Sequence, residues 1–243
     1  MCSSSNRGPR HRERSGRRAA ALASPQLPPV SIVLEHDVEQ ASEQGSAAMS
    51  KRILILDGHP DPANERFVHA LAAAYRDGAQ ERGYEVITLR AADLSFPLLR
   101  SQRDYEHGSP VASVESCQNA VNWATHVVIL FPLWLGSMPA LLKALLEQTF
   151  RPGFAFSNES AGRSPVKFHS GKSARLIVTM GMPSLLFRCF YLSHGVASLK
   201  RNVLRFSGFW RVRSTLIGSI GNLDARRARR CLDKVRAFGR EGR

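Results

Sequence analysis

Residues 127–150, VVILFPLWLGSMPALLKALLEQTF, constrain the fold more tightly than any other stretch. Residues 127–131 are an unbroken apolar run, β-branched at the start, which suits a strand buried on both faces of a parallel sheet. Pro132 has no N–H for a ladder, so the strand is expected to stop there. From Pro139 the apolar pattern resumes at helical spacing, with Leu141, Leu142, Leu145 and Leu146 on one side and Lys143 and Glu147 off it. Pro139 suits the first helical position, where a missing N–H leaves nothing unpaired. Strand, short Pro/Gly loop and helix make half of a βαβ unit. In open α/β sheets ligands bind at loops leaving the carboxyl ends of strands, and 132–138 is such a loop. It carries Trp134 and Leu135 where a plain connector would be polar; the bland alternative is a connection whose Trp134 merely covers core. Pro132, Gly136, Pro139 and Lys143 interrupt the stretch and argue against a membrane span.

The remaining chain supplies matching units. Strands are expected at 53–57, 85–90, 174–180 and 212–217. Helices are expected at 65–82 (Phe67, Leu71 and Tyr75 at i, i+4, i+8), over about ten residues ending near Ala124, at 196–206, and from Asp224 to about Phe238. Residues 91–110 read as irregular and 151–171 as a long excursion of the kind that serves a site or an interface. Five strands alternating with helices imply a doubly wound five-stranded parallel sheet, flavodoxin-like, in the order 2-1-3-4-5, as a single domain over 49–243. Residues 1–48 differ: Ser, Gly, Arg and Pro dominate, apolar pieces are short, and disorder is expected. The AAALA run is too short for a signal peptide, the acids fit a transit peptide poorly, and translation from Met49 is an open alternative.

Four scattered cysteines without CxxC, and eight histidines without an HExxH pairing, point to a reducing, cytoplasmic setting and to no metal. The net charge of +14 sits almost wholly in residues 163–243, which carry eighteen basic and three acidic groups. Such a field attracts a phosphorylated cofactor or an anionic membrane surface, and a solvated basic face is the bland reading. No nucleic-acid recognition module is present.

In the expected strand order the loops 58–67, 132–138 and 179–183 converge at the switch point of the sheet. The first opens a helix, whose free N–H groups suit a phosphate, and His59 and Arg66 add possible charge-assisted bonds. It is neither GxxxxGK[ST] nor GxGxxG, and His59 is as often a local turn residue as a ligand.

DGHP at 57–60, FPLWLGSMPALLK at 131–143, GFAF at 153–156 and SHGVASLKRNVLRFSGF at 193–209 together resemble the NAD(P)H:quinone oxidoreductases of the flavodoxin-like group, which include DT-diaphorase and bacterial relatives. The resemblance runs from about Lys51 to Arg240. It implies a flavin at the three loops, FAD with FMN as the alternative, and two-electron ping-pong transfer from NAD(P)H to a quinone or similar acceptor. His59 matches the family histidine beside the flavin phosphates and Phe67 the aromatic that opens the first helix, with Asn64 and Arg66 between them. Pro132, Leu133, Trp134 and Leu135 match the loop along the flavin ring. Thr179 and Gly181 match a loop that reads TTGG in relatives; here it reads TMGM, so Met180 and Met182 are expected to make that wall more apolar. His194, with Gly195, matches the charge-stabilising catalytic histidine, and Tyr191 stands near the place of its assisting tyrosine. The GFAF segment and Trp134 are expected to wall a flat acceptor. A homodimer is implied as well. The alternative that the resemblance also implies is an ancillary flavoprotein subunit of a potassium-efflux system, docked on a membrane partner through the basic last third.

Overall fold

A computed structural model describes residues 51–157 and 165–243. The expected disorder of 1–48, and the middle of the 151–171 excursion, lie outside the described residues. Five strands, β1 (Arg52–Asp57), β2 (Glu85–Arg90), β3 (His126–Pro132), β4 (Ser173–Thr179) and β5 (Arg211–Ile217), form one sheet in the order β2-β1-β3-β4-β5. Every pairing is parallel. The doubly wound sheet and its order are therefore as the periodicity predicts. Strand β3 is buried at all seven positions, as a central strand covered on both faces must be. It reaches one residue further than expected. Pro132 closes it in register with Thr179, a place where a residue without an N–H is tolerated at a strand end.

Alternate residues of each strand feed two cores. On one face Ile53, Ile55, Val128, Leu130 and Ile177 pack under α1 (Phe67–Glu81) and α7 (Ala225–Glu241). On the other, Leu54, Leu56, Val127, Ile129 and Phe131 meet residues of α3 (Ala112–Trp123) and α4 (Ala140–Thr149). Within α4, Leu142, Leu145 and Leu146 are buried as expected. Pro139 stands at its N-cap in extended conformation, one place before the first helical position. Asp224 caps α7, its side chain accepting the Arg227 N–H.

The irregular 91–110 segment contains a 3₁₀ turn at Ala91–Asp93 and α2 (Gln102–His107). Side chains of later elements tie it down: Ser113 donates to the Ser95 carbonyl, Gln148 to the Pro97 carbonyl and Arg151 to the Gly108 carbonyl, each at 2.6 Å. After β4 comes α5 (Ser184–Cys189), unforeseen in the sequence, and then α6 (His194–Ser198), which continues as a π-helical stretch over Leu199–Arg205. Such π segments are rare and recur at functional sites.

Candidate functional site

All five strands run the same way, so the loops after β1, β3 and β4 leave one edge of the sheet together. In the first loop Asp57, buried at the end of β1, organises the turn. One carboxylate oxygen accepts the His59 N–H at 3.1 Å and the other lies 2.5 Å from Nδ1 of His69 on α1. Nε2 of His69 lies 3.0 Å from the Asp61 carbonyl and 3.5 Å from the Arg90 guanidinium. His59 behaves differently. Its Nδ1 accepts the Asp61 N–H at 3.1 Å, so the neutral ring carries its proton on Nε2, which is left free to donate. Burial and the neighbouring His69 push its pKa down and favour that neutral form.

Arg66 is the N-cap of α1 but makes no side-chain cap. The N–H groups of Phe67 and Val68 find no backbone or side-chain acceptor among the described residues, which leaves a donor pair at the positive end of a fifteen-residue helix. The guanidinium of Arg66 bonds Asp61 at 2.5 Å and is shared rather than free. Asn64 is exposed and accepts from Arg90 at 3.4 Å. Phe67 is half-buried against the core on this face.

The second loop is a tight turn. Trp134 and Ser137 exchange both backbone hydrogen bonds at 2.9 Å, and the residues between them, Leu135 and Gly136, have φ of 46° and 79°. Positive φ at both central positions is the type I′ pattern, normally filled by Asn and Gly. Here a leucine occupies the first place and is fully exposed. The Leu133 N–H is bonded to the Thr179 carbonyl at 2.7 Å, while those of Leu135 and Gly136 have no partner among the described residues. Trp134 is half exposed and packs edge-on to His59, ring centroids 6.2 Å apart, so the first and second loops touch.

The third loop begins at Thr179, whose side-chain hydroxyl is buried without a hydrogen-bond partner. Open space lies where a Cβ on Gly181 would stand. The TMGM departure is only partly a wall: Met180 is buried in the core, and only Met182 is half-buried.

His194 opens α6 and is exposed, and its N–H bonds the Tyr191 carbonyl at 3.1 Å. A Cβ on Gly195 would overlap the Gly136 carbonyl, so the His-Gly pair lies directly against the second loop. Leu192 and Ser193 before it both have positive φ. Tyr191 stacks on Phe187, centroids 6.2 Å apart. Leu185, Leu186, Phe190 and Leu192 around it are exposed.

The GFAF segment does not join these loops within one chain. Phe156 packs on Phe206, centroids 4.8 Å apart, and the two line a cavity of about 550 Å³ with Tyr105, Lys143 and Phe150, none of which belongs to the three loops. The Asp57–His69 pair escaped the sequence reading, because twelve residues separate its members and only the return of α1 over β1 unites them. Among the described residues no group of three or more His, Cys, Asp and Glu side chains could hold a metal, and no helix is long and apolar enough to cross a membrane.

Residues 51–238 match the model of a family described as having the flavodoxin-like fold. The chain is 25% identical over 201 residues to the rat (Rattus norvegicus) protein named NAD(P)H dehydrogenase [quinone] 1, covering 71% of this chain and 70% of that one. Among solved structures, a putative quinone reductase from Klebsiella pneumoniae superposes with a TM-score of 0.68 at 20% identity, over 78% of this chain and 83% of the other. An FMN-dependent NADH-azoreductase from Bacillus anthracis, solved with FMN, superposes with a TM-score of 0.62 at 14% identity, over 79% and 99%. These two are likenesses of fold. The chain belongs to the flavodoxin-like family, and within it is similar to the NAD(P)H:quinone oxidoreductases to which its motifs point.

Proposed function

We propose that the chain is a flavin-dependent NAD(P)H:quinone oxidoreductase. One observation carries the reading: three unused donor sets stand at the same edge of the sheet. They are the Phe67 and Val68 N–H groups with Nε2 of His59, the Leu135 and Gly136 N–H groups, and the orphaned hydroxyl of Thr179. Buried or fixed donors without acceptors suit a ligand that brings acceptors of its own. A flavin nucleotide does so, with a phosphate at one end and ring oxygens and nitrogens at the other. The residues present therefore fit it.

FMN is favoured over FAD in this reading. A single helix N-terminus supplies phosphate donors at the first loop, and the azoreductase of like fold holds FMN. When bound, the flavin supplies a ring that accepts hydride from NAD(P)H and passes two electrons to an acceptor. Phe67, Val68 and neutral His59 hold the phosphate. Leu135 and Gly136 would hold the ring of a bound flavin through N–H groups that the turn already fixes, donors that need no reorganisation to meet negative charge. Trp134 and Leu135 present apolar surface to a flat acceptor and keep water from it. His194 holds the proton that an acceptor oxygen takes up, and Tyr191 positions it through the turn they share. NAD(P)H and acceptor use the same open side in turn, hence ping-pong kinetics. The Phe156–Phe206 wall stands apart from these loops within one chain, and the exposed apolar segment 185–192 suits burial against a second copy; the working form in this reading is a homodimer.

The visible spectrum of purified full-length protein, taken before and after anaerobic NADPH, tests the reading. Flavin absorption bleached by NADPH is expected; a colourless protein that takes up neither FMN nor FAD ends it. In His194→Ala, flavin content is expected to hold while quinone turnover drops about 10²–10⁴-fold. Unchanged turnover removes the role of His194.

A further inference from the structure

The opposite edge of the sheet, where the strands begin, carries a second cavity. It measures about 380 Å³ and is lined by the first residues of three neighbouring strands, His126 of β3, Ser173 of β4 and Arg211 of β5, together with Lys51, Arg213 and the end of α7. The register explains the grouping. His126 pairs with Ser173 and Ser173 with Arg211, so the three form one row across the sheet. Arg213, two residues along β5, points to the same face, and Lys51 comes in beside β1.

The charge here is one-sided. Among side chains, Lys51, Arg211, Arg213 and Arg243 line the cavity against one acid, Glu241, which is itself paired with Arg243. Among the described residues no carboxylate bridges Lys51, Arg211 or Arg213. Arg175, buried alongside on β4, donates to a main-chain oxygen of Arg243, the last residue, at 2.5 Å and to Thr215 at 2.8 Å. His126 is 2% exposed. Its Nδ1 lies 2.7 Å from the Ser173 hydroxyl, and its Nε2 is buried with no partner. A Ser173 hydroxyl that donates to Nδ1 puts the neutral ring's proton on Nε2, which then has a donor to offer an anion. Burial, Lys51, Arg175 and Arg213 together keep that ring neutral.

Clustered cations cost free energy by mutual repulsion, and a buried donor costs more when nothing accepts its proton. Both costs vanish when an oxyanion enters. The cavity is larger than a bare oxyanion needs, and Trp210 at its lining is mostly exposed, with Arg211 stacked on its ring at 4.4 Å. We propose that this cavity is a binding site for a small phosphate monoester, its phosphate held by Lys51, Arg211, Arg213 and His126 and its organic part lying along Trp210. It shares no residue with the loops at the other edge and does not depend on what those loops bind.

Titration calorimetry on the full-length protein with inorganic phosphate, ribose 5-phosphate and AMP, at constant ionic strength, tests it. One saturable site is expected, with the esters tighter than inorganic phosphate. Arg211→Gln and Arg213→Gln are each expected to weaken it about tenfold, the worth of one charge-assisted bond, with the melting temperature measured to confirm folding. Ring NMR of His126, which faces Lys51, Arg175, Arg213, Glu241 and Arg243, should show its pKa rising by about one unit or more with ligand bound. No saturable binding, binding unchanged in both variants, or an unmoved His126 resonance overturns the proposal. Sedimentation with phosphatidic acid vesicles in place of ester binding also overturns it, since the surface would then be a membrane contact.

Discussion

Leu135 holds a backbone conformation that costs an ordinary L-residue about 1–2 kcal/mol and exposes its whole side chain to water. Folding gains nothing from either feature, so the residue is best explained by what approaches the turn. Leu135→Asn is expected to raise stability by about 0.5–1 kcal/mol in urea melts, because Asn tolerates positive φ. On the proposed reading it also raises KM for an apolar quinone; an unchanged KM would take Leu135 out of the acceptor site. His169 carries a different cost. It is fully buried among Phe150, Phe154 and Phe209, with both ring nitrogens unpartnered, and burial lowers its pKa from 6.5 to about 4. His126, lowered to about 3 chiefly by burial, acts in the same direction. Between these values and 6.5 the unfolded chain binds protons that the folded chain refuses, so stability falls as pH drops through that window. For His169 the loss is on the order of 3 kcal/mol once pH reaches its folded pKa. His169→Phe should melt higher than the parent at pH 8 and by a wider margin at pH 5. A constant margin would show that protonation of His169 plays no part.

Several elements meet through glycines. Helices α1 and α7 cross so closely that a Cβ on Gly78 would strike the Arg236 carbonyl, and one on Gly239 the Tyr75 carbonyl. Flanking the crossing, Glu81 of α1 bonds both Arg236 and Arg240 of α7. In an unhindered helix Gly→Ala stabilises by about 1 kcal/mol. For Gly78→Ala the clash should reverse the sign, a net loss of about 1–3 kcal/mol in denaturant melts; a gain would mean that the helices separate at little cost. Neither glycine is distinctive in the sequence, because a close approach is a property of two elements together. The same holds for Gly195 against Gly136, which sets the His194 turn beside the second loop. The helices α2 and α5 were missed for a related reason. Each is six residues long, too short for a periodic apolar face, and is held by the surrounding structure rather than by its own pattern.

For the whole molecule, the exposed apolar segment after β4 is the feature that a lone chain leaves unexplained. If it is the face of a homodimer, analytical ultracentrifugation finds two chains, and Leu186→Glu with Phe190→Glu yields monomer with lowered quinone turnover. A parent protein that stays monomeric at high concentration refutes the dimer. The sheet was legible in advance because continuous apolar runs at 53–56, 127–131 and 176–178 admit burial on both faces and little else, and alternation with helices then selects a parallel order. Three loops at one edge follow from that order alone, so His59, Trp134 and Thr179 could be nominated from their positions after strands. What those residues do with their hydrogen bonds was beyond one dimension: the tautomer of His59 depends on the Asp61 N–H, the Thr179 hydroxyl is orphaned by its neighbours, and Arg66 is claimed by Asp61. The basic charge of the last third was plain from the chain, but not that part of it gathers with Lys51 and His126 at the far edge. Local pattern determines which segments are strands and helices, since periodicity acts between near neighbours. Pairing, burial and protonation depend on groups distant in the chain, and only the folded packing decides them.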